Sequence, residues 1–367
     1  METPRINVEA LINELRTAGD TMDPKRLMQI VRDVVSVIIG ELNKVVNGYD
    51  DTKLKILYAL FADVHVLLES VPGLAKTLLI ESLQAAISES KSDRIQFVAD
   101  LTPSDIVGSR VFNQGTGKFE DDPGPAIGTN FLLADEINRA PGKTQSSLLS
   151  AMQERKVMIG KKAYHLEDPF LVLATMNPIE QEGTYPLPEA QLDRFALKLR
   201  LDYVSREDER AMLRNTALEG RGAHSKLVTP SVSIHDIILL REAIRSTVYV
   251  SDALIDYVLG LIRSTRPGKE EFKAACVKRP ALQELVKVGC SPRALQTLIK
   301  LGRVRAACEG RDYVLPEDVR AIAHDVMRHR IILDEAAVWN GDTTDDVIDH
   351  VIAAVPIVDN DELYKRR

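Results

Sequence analysis

A phosphate-binding loop is the first chemistry that the residue types of the chain suggest. The apolar run His65 to Glu69 and the helical run Leu78 to Ala86 enclose a segment that reads Ser70-Val71-Pro72-Gly73-Leu74-Ala75-Lys76-Thr77. In such a strand, loop and helix, backbone N–H groups and the positive end of the helix bind phosphate oxygens. A lysine at the end of the loop neutralises the β and γ phosphates, and a threonine hydroxyl binds Mg²⁺. The segment therefore predicts an ATP site in which Lys76 contacts phosphate and Thr77 is a metal ligand.

The loop departs from the Walker A pattern GxxxxGK[ST] at two glycines, which are replaced by Ser70 and Ala75. Both residues keep the backbone N–H group, so the groups that bind phosphate survive the change. If Ser70 has a positive φ, the strain is about 1–2 kcal/mol, which a tight nucleotide complex can offset. We therefore expect Ser70→Gly to leave activity equal or slightly raised.

Two carboxylates follow another apolar run further along the chain. The run Phe131 to Ala134 ends in Asp135 and Glu136. Asp135 is placed to hold hydrated Mg²⁺, and Glu136, one residue beyond the strand, is placed to polarise the attacking water as a general base. In isolation such a pair also fits a solvated helix start. Its position after a phosphate loop favours the catalytic interpretation.

Three more polar residues stand at the ends of predicted elements. The run Phe170 to Met176 ends at Asn177, whose amide either holds the lytic water or forms the turn before the next proline. Arg194 precedes the last apolar run, Ala196 to Leu201. Arg293 lies in the first turn of a predicted helix, where the macrodipole disfavours a cation, so we expect it to meet an anion from elsewhere.

These residues need a scaffold that brings several strand ends together. Short apolar runs alternate with helical segments and predict a parallel sheet covered by helices on both faces: His65 to Glu69, Ile95 to Ala99, Phe131 to Ala134, Phe170 to Met176 and Ala196 to Leu201. Two inserts interrupt this pattern. Val111 to Asn130 is predicted to be a loop or short insert, with no regular element at Pro123-Gly124-Pro125, and residues 157 to 166 are predicted to form a β-hairpin around Gly160.

The rest of the chain has helical patterns. We predict an N-terminal helical extension over 1–46, an α/β domain over 47–208, an all-helical domain without strands over 225–355, and a C-terminal tail over 356–367. In the helical domain, Ser251 is predicted as an N-cap, and Pro292 and Pro316 as first helical residues.

Composition excludes some function classes. The net charge is -7 and the pI is near 5.6, which gives no electrostatic footprint for nucleic acid beyond local patches. The N-terminus has no apolar core of signal-peptide length, and no run reaches the ~18 apolar residues of a membrane span. We therefore expect a cytoplasmic protein without a membrane span.

The order of these elements resembles the AAA+ superfamily, and four segments resemble the MoxR family within it. The segments are Gly73 to Thr77, Leu132 to Arg155, Leu173 to Phe195, and Ser291 to Ala294. The resemblance covers about residues 35 to 335. It implies an α/β P-loop NTPase core of the AAA+ type with a parallel five-stranded sheet, followed by an all-helical lid domain. Alanine before the loop lysine is typical of this family, whereas Ser70 stands where the family usually has glycine.

The resemblance also implies roles for single residues. It makes Asn177 the sensor-1 residue, Arg194 an arginine finger offered to a neighbouring subunit, and Arg293 the sensor-2 residue of the lid. The insert at 111 to 130 falls where the family has its helix-2 insertion, and the hairpin at 157 to 166 falls where it has the pre-sensor-1 hairpin.

The implied function is a chaperone-like remodelling ATPase that uses ATP and Mg²⁺. Such proteins form rings, usually hexamers, and commonly act with a partner bearing a von Willebrand factor A domain. One alternative is a nucleic-acid-translocating ATPase of the helix-2-insert clade, since the hairpin carries four cations, Arg155, Lys156, Lys161 and Lys162. The other alternative is a nucleotide switch with little turnover. Net acidity opposes the first, and the full set of catalytic residues opposes the second.

Overall fold

The computed structural model describes residues 6–71, 73–74, 76–178, 183–218 and 227–357. They form two compact units. The first contains Asp33–Phe195 and Leu199–Leu240, together with the beginning of the chain. The second contains Leu15–Arg32, Ala196–Lys198 and the chain from Arg241 onward. The domain boundaries predicted above stay predictions.

A five-stranded sheet carries the candidate site, as predicted. Its order is β10-β1-β9-β6-β3, and the ladders β1 with β9, β9 with β6, and β6 with β3 are parallel. The strands are β1 Val66–Ser70, β3 Ser92–Gln96, β6 Phe131–Asp135, β9 Leu171–Met176 and β10 Leu197–Leu201. The inner strands are buried on both faces, which explains their continuous apolar sequences.

The strand β3 begins earlier than its apolar residues predict. It spans Ser92–Gln96, whereas the predicted run was Ile95 to Ala99. Because β3 is an edge strand, most of its side chains are exposed, and its polar first half lacks an apolar pattern. One further bond continues the ladder, from the N–H of Phe97 to the carbonyl of Asp135 at 2.9 Å.

Helices lie before, between and after the strands. Their bounds are α1 Val8–Ala18, α2 Pro24–Asn43, α3 Asp50–Ala62, α4 Lys76–Ala86, α5 Pro103–Val107, α6 Gly142–Glu154, α7 Glu189–Leu192 and α8 Arg206–Leu218. One residue from each of three strands, Leu67 of β1, Leu132 of β6 and Ala174 of β9, belongs to one buried cluster with Leu148 and Leu149 of α6. This packing fixes the sheet on which the site is built.

A buried histidine joins two strands of the sheet near its amino-terminal edge. His65 Nδ1 accepts from the N–H of Val172 at 3.1 Å, and its Nε2 lies 3.3 Å from the carbonyl of Met152. Burial, assisted by the charge of Arg155, lowers the pKa of His65 from 6.5 to about 3. The neutral imidazole is therefore the form that the fold requires.

The first insert is a β-hairpin, which corrects the prediction of a loop over Val111 to Asn130. Strands β4 Gly108–Asn113 and β5 Lys118–Pro123 pair antiparallel, and the small strand β2 Ile87–Ser88 precedes them in the chain. Pro123, which was predicted to lie outside any regular element, is the last residue of β5. Both faces of this hairpin are largely exposed, so its sequence has no alternation between buried and polar positions to reveal it.

The second insert confirms the predicted hairpin. Strands β7 Lys156–Ile159 and β8 Lys162–His165 pair antiparallel. Gly160 occupies the turn with φ +60°, a conformation that favours glycine.

The C-terminal part of the chain is mainly helical. Its helices are α9 Ile234–Thr247, α10 Asp252–Arg263, α11 Glu270–Lys278, α12 Leu282–Leu285, α13 Pro292–Cys308, α14 Pro316–Met327, α15 Glu335–Asn340 and α16 Thr344–Ala354. The predicted starts are confirmed: Ser251 Oγ accepts from the N–H of Leu254 at 3.1 Å, and Pro292 and Pro316 open α13 and α14.

Three short strands contradict the prediction of helices alone after Asp208. They are β11 Val232–Ser233, β12 Val286–Val288 and β13 Ile332–Leu333. Each is too short to show a period of two in its sequence. Among the described residues, none of the helices has the length and apolarity to cross a bilayer.

Candidate functional site

The carboxyl ends of neighbouring strands bring the predicted residues of β6 and β9 together. In the register of these strands Ala134 faces Ala174, so the next pair is Asp135 with Thr175. The hydroxyl of Thr175, which is fully buried, donates to Asp135 Oδ1 at 2.6 Å. The same hydroxyl accepts from the backbone N–H of Glu136 at 2.8 Å. One threonine thus orients both predicted carboxylate residues.

Asp135 also has a cationic partner on the edge strand. Its Oδ2 accepts from Arg94 Nη2 at 2.6 Å, and the Arg94 side chain is half exposed. Both carboxylate oxygens of Asp135 are therefore bonded within the protein. Each still has a second lone pair, so the carboxylate can bind a metal-bound water, and Arg94 has the exposure to move aside.

Glu136 is held in a strained backbone conformation. Its φ of 57° and ψ of 48° are left-handed, which costs a non-glycine residue roughly 1–2 kcal/mol. Its Oε2 accepts from Gln96 Nε2 at 2.9 Å and from Arg139 Nε at 3.0 Å. Gln96 in turn accepts from Arg94 at 2.6 Å. These contacts aim a carboxylate past the end of β6 and stabilise the strained turn.

The phosphate loop begins at the last residue of β1. Ser70 lies in the extended backbone of that strand, so the positive φ considered above does not arise. Gly73 has φ +86°, and α4 begins at Lys76, which places Lys76 and Thr77 in its first turn. Two predicted loop residues, Pro72 and Ala75, lie outside the described residues, whereas Val71 and Leu74 lie within them.

The remaining predicted residues lie at element ends. Asn177 directly follows β9 and is buried, with 5% of its surface exposed. Arg194 is half-buried in the turn after α7, where its N–H donates to the carbonyl of Gln191 at 3.1 Å. Arg293 is exposed in the first turn of α13 in the second unit, and its N–H donates to Ser291 Oγ at 3.2 Å.

Four side chains of the site were missed from sequence: Arg94, Gln96, Arg139 and Thr175. Gln96 and Arg94 sit on a strand whose polar half was not predicted, and Thr175 is hidden within an apolar run. The roles of Arg94, Gln96 and Thr175 follow from strand order and register, which a single sequence does not give. Arg139 contacts Glu136 within the turn that follows β6.

Searches against known proteins find close relatives. Residues 65–197 match the ATPase family associated with various cellular activities (AAA), and residues 280–351 match the AAA lid domain. The chain is 41% identical to Chaperone MoxR1 of Mycobacterium tuberculosis, over 87% of this chain and 81% of the relative. It is 30% identical to Protein MoxR of Methylorubrum extorquens, over 83% of this chain and 89% of the relative.

A crystal structure of a candidate ATPase from Cytophaga hutchinsonii has the same fold. It aligns with a TM-score of 0.83 and 39% identity, covering 94% of this chain and 99% of that chain. The matched ATPase region includes the candidate site residues from β1 to Arg194, and the matched lid region includes Arg293.

Proposed function

We propose, because this chain belongs to the MoxR family of AAA+ ATPases, that it hydrolyses ATP at the carboxyl end of its sheet and drives chaperone-like remodelling of a partner protein. The observation that carries the proposal is the paired hydrogen bonding of Thr175 to Asp135 and Glu136. It orients two carboxylates, one of them assigned to bind metal, at the end of β6. Strand β6 is separated from β1, which leads into the phosphate loop, by β9.

The residues present suit a magnesium nucleotide. Backbone groups of the loop from Ser70 to Thr77 bind the phosphates, and Lys76 neutralises the β and γ phosphates. The Thr77 hydroxyl and the Asp135 carboxylate are hard oxygen donors of the kind that Mg²⁺ prefers. When bound, the ion neutralises charge on the phosphate oxygens.

We assign Glu136 as the general base that takes the proton of the attacking water. Both described bonds to its carboxylate fall on Oε2, so we assign Oε1 to the proton transfer. Asn177, one residue beyond the neighbouring strand, is assigned to orient the water. The positioning of Glu136 by Gln96 and Arg139 means that the base is in place before the nucleotide binds.

Phosphate release measured with saturating ATP and Mg²⁺ tests this assignment. Wild type is expected to turn over, and Glu136→Gln is expected to bind nucleotide but release no phosphate above background. The matched control is Glu154→Gln at the end of α6, which removes the same negative charge at a position away from the site. Turnover by Glu136→Gln within a few-fold of wild type would place the base elsewhere.

The site is completed, in this proposal, by a second subunit. Arg194 acts as a finger in a neighbouring protomer of a hexameric ring, and Arg293 acts as the sensor-2 residue of the lid. The partner is a protein with a von Willebrand factor A domain, by the family resemblance. The expected cytoplasmic location stays a prediction.

Mixing two inactive variants tests the shared site. Arg194→Ala and Glu136→Gln are each inactive for reasons on opposite sides of a subunit interface. The two variants are mixed at equal amounts, so each side of an interface is intact with a probability of about one half. With heterologous contacts around the ring, roughly a quarter of interfaces then pair an intact Glu136 with an intact Arg194. Partial recovery of phosphate release supports a trans finger. Background activity in mixed rings, with a linear fall when Arg194→Ala is titrated into wild type, contradicts it.

One of the four hairpin cations that suggested the nucleic-acid alternative is used within the fold, while Lys156, Lys161 and Lys162 are exposed. Arg155 donates to the carbonyl of Phe170 at 2.8 Å and pairs with Asp63, so it fastens the base of the hairpin rather than facing a ligand. Lys162 lies 4.3 Å from the ring centre of Tyr164. Filter binding of DNA and RNA across a salt series separates the two functions.

A further inference from the structure

Ser70 has a buried hydroxyl group that the fold does not satisfy. The residue is 2% exposed, and its Oγ has no hydrogen-bond partner among the residues that the structure describes. Leaving a buried hydroxyl unpaired costs about 1–3 kcal/mol. Alanine or glycine at this position avoids that cost, so the hydroxyl is expected to have a partner other than the described residues of the chain.

The register of the sheet shows which groups share a face with this hydroxyl. Glu69 of β1 faces Met176 of β9, and continuing by one residue brings Ser70 beside Asn177. Alternate residues of a strand share a face, so Asn177 is on the same face as Thr175. Thr175 in turn bonds Asp135 on the next strand. Ser70, Asn177 and Asp135 therefore lie on one face at the carboxyl end of three adjacent strands.

A neighbouring hydroxyl on that face, that of Thr175, already donates and accepts hydrogen bonds within the protein. Thr175 both donates to Asp135 and accepts from the backbone of Glu136. Asp135 and Glu136 have other partners as well, in Arg94, Gln96 and Arg139. None of these groups bonds to the Ser70 hydroxyl in the structure. An anion that enters beside Ser70 and Asn177 can supply the missing partner, because its oxygens accept hydrogen bonds.

We propose that the Ser70 hydroxyl donates a hydrogen bond to the terminal phosphate of a bound nucleoside triphosphate, beside Asn177, and makes the site prefer a triphosphate to a diphosphate. This inference rests on the proposed function, in which Asn177 and Asp135 face the terminal phosphate. It reverses the expectation for Ser70→Gly drawn from the sequence. That expectation gave the serine hydroxyl no role, because it rested on the backbone N–H groups and on the strain of a possible positive φ; the extended backbone of β1 excludes the positive φ.

Calorimetry on the full chain tests the proposal with two ligands, ADP and the β,γ-imido analogue of ATP, each with Mg²⁺. Ser70→Ala and Ser70→Gly are both expected to lower the affinity for the imido analogue by about tenfold, the usual effect of losing one hydrogen bond to a charged group. The affinity for ADP is expected to stay within about twofold of wild type. Two variants are used so that a folding defect in one does not decide the result. The control is Ser82→Ala on α4, a buried serine whose hydroxyl already donates to the carbonyl of Leu78 at 2.6 Å.

Two results overturn the inference. Equal affinities of wild type and both Ser70 variants for the triphosphate mean that the hydroxyl does not contact it. Equal weakening of both nucleotides means that Ser70 only supports the end of β1. If wild type itself binds neither nucleotide, the proposed function fails together with the inference, so the failures are distinguishable.

Discussion

The candidate site has two regions, the ends of β6 and β9 and the end of β1, which differ in how far the protein satisfies their polar groups. At the ends of β6 and β9, Asp135, Glu136 and Thr175 all have short hydrogen bonds to other side chains or backbone. At the end of β1, the hydroxyl of Ser70 is buried without a partner among the described residues. In the proposed function, the carboxylates are oriented before nucleotide binds, whereas the phosphate loop is completed by the nucleotide. Substitutions at the first region should change rate, and substitutions at the second should change affinity.

The largest effect is expected at the phosphate loop. Lys76→Ala removes the full positive charge of the loop and should lower the affinity for ATP by at least about a hundredfold. The reason is that charge-assisted hydrogen bonds to phosphate are stronger than neutral ones. Calorimetry gives the affinity, and Lys162→Ala on the exposed strand β8 is a control for the loss of a lysine. Affinity within threefold of wild type would contradict the assignment of the loop.

A smaller effect, on rate, is expected at the carboxylate end. Thr175→Val keeps the shape of the side chain but removes the hydroxyl that holds Asp135 and the N–H of Glu136. Turnover should fall on the order of a hundredfold at most, because one group with two bonds to the catalytic residues is lost, while affinity stays within about threefold.

The control for this change is Thr144→Val on α6. Thr144 is also buried, and its hydroxyl donates to the carbonyl of Leu101 at 2.8 Å, away from the carboxylates. If Thr175→Val lowers affinity as much as rate, the two regions do not differ in the way proposed.

Acid should weaken the link between the strands of the two regions. His65 joins the start of β1 to Val172 of β9 and is neutral in the fold, with a pKa of about 3 against 6.5 when exposed. Below pH 6.5 His65 is protonated in the unfolded chain but stays neutral in the folded chain, so stability is lost progressively as pH falls from 6.5 toward 3. At pH 5 the loss is about 2 kcal/mol, or roughly thirtyfold in the opening equilibrium.

Hydrogen exchange of the Val172 amide measures this loss, because that N–H donates to His65. Protection, corrected for the intrinsic rate, should fall by up to about thirtyfold between pH 7 and pH 5 in wild type. His65→Gln keeps an acceptor without a titrating ring and should flatten the dependence. Constant protection in wild type would show that His65 does not set the acid stability of the sheet.

The sequence predicts the site best where residues follow buried strands. Asp135 and Asn177 each stand directly after an apolar run, and the structure places them at the carboxyl ends of β6 and β9. Lys76 follows the loop after a third such run and begins α4. The reason is physical: a strand covered on both faces must be apolar throughout, so its end is visible as a change of composition.

The sequence predicts poorly where an element is exposed on its faces. Arg94 and Gln96 lie on the edge strand β3, and the hairpin β4 to β5 exposes Phe112 and Phe119, with 50% and 60% of their surfaces in contact with solvent. The hairpin has no buried face, and Ile95 is the one buried residue of β3, so neither segment shows a period of two in its residues. The pairing of Gln96 with Glu136 depends further on β3 lying beside β6, which only the strand order reveals.

The smallest effect is expected from this edge-strand partner, and it tests whether the carboxylate region is held by many bonds or by one. Gln96→Met keeps the length of the side chain and removes one of the two bonds to Glu136 Oε2, while Arg139 keeps the other at 3.0 Å. Because Glu136 keeps both Arg139 and the bond from its N–H to Thr175, turnover should fall by only about three- to tenfold, with nucleotide affinity unchanged.

A second variant at the same position separates positioning from packing. Gln96→Glu has nearly the same shape but places a carboxylate where the amide donated at 2.9 Å, so repulsion should move Glu136 away and lower turnover more than methionine does. Phosphate release at saturating ATP and calorimetric affinity are measured for both variants. If methionine and glutamate reduce turnover equally, Gln96 acts only by filling space, and the hydrogen bond to Glu136 does not position the base. If either variant weakens nucleotide binding as much as Lys76→Ala does, the separation of rate and affinity between the two regions of the site is wrong.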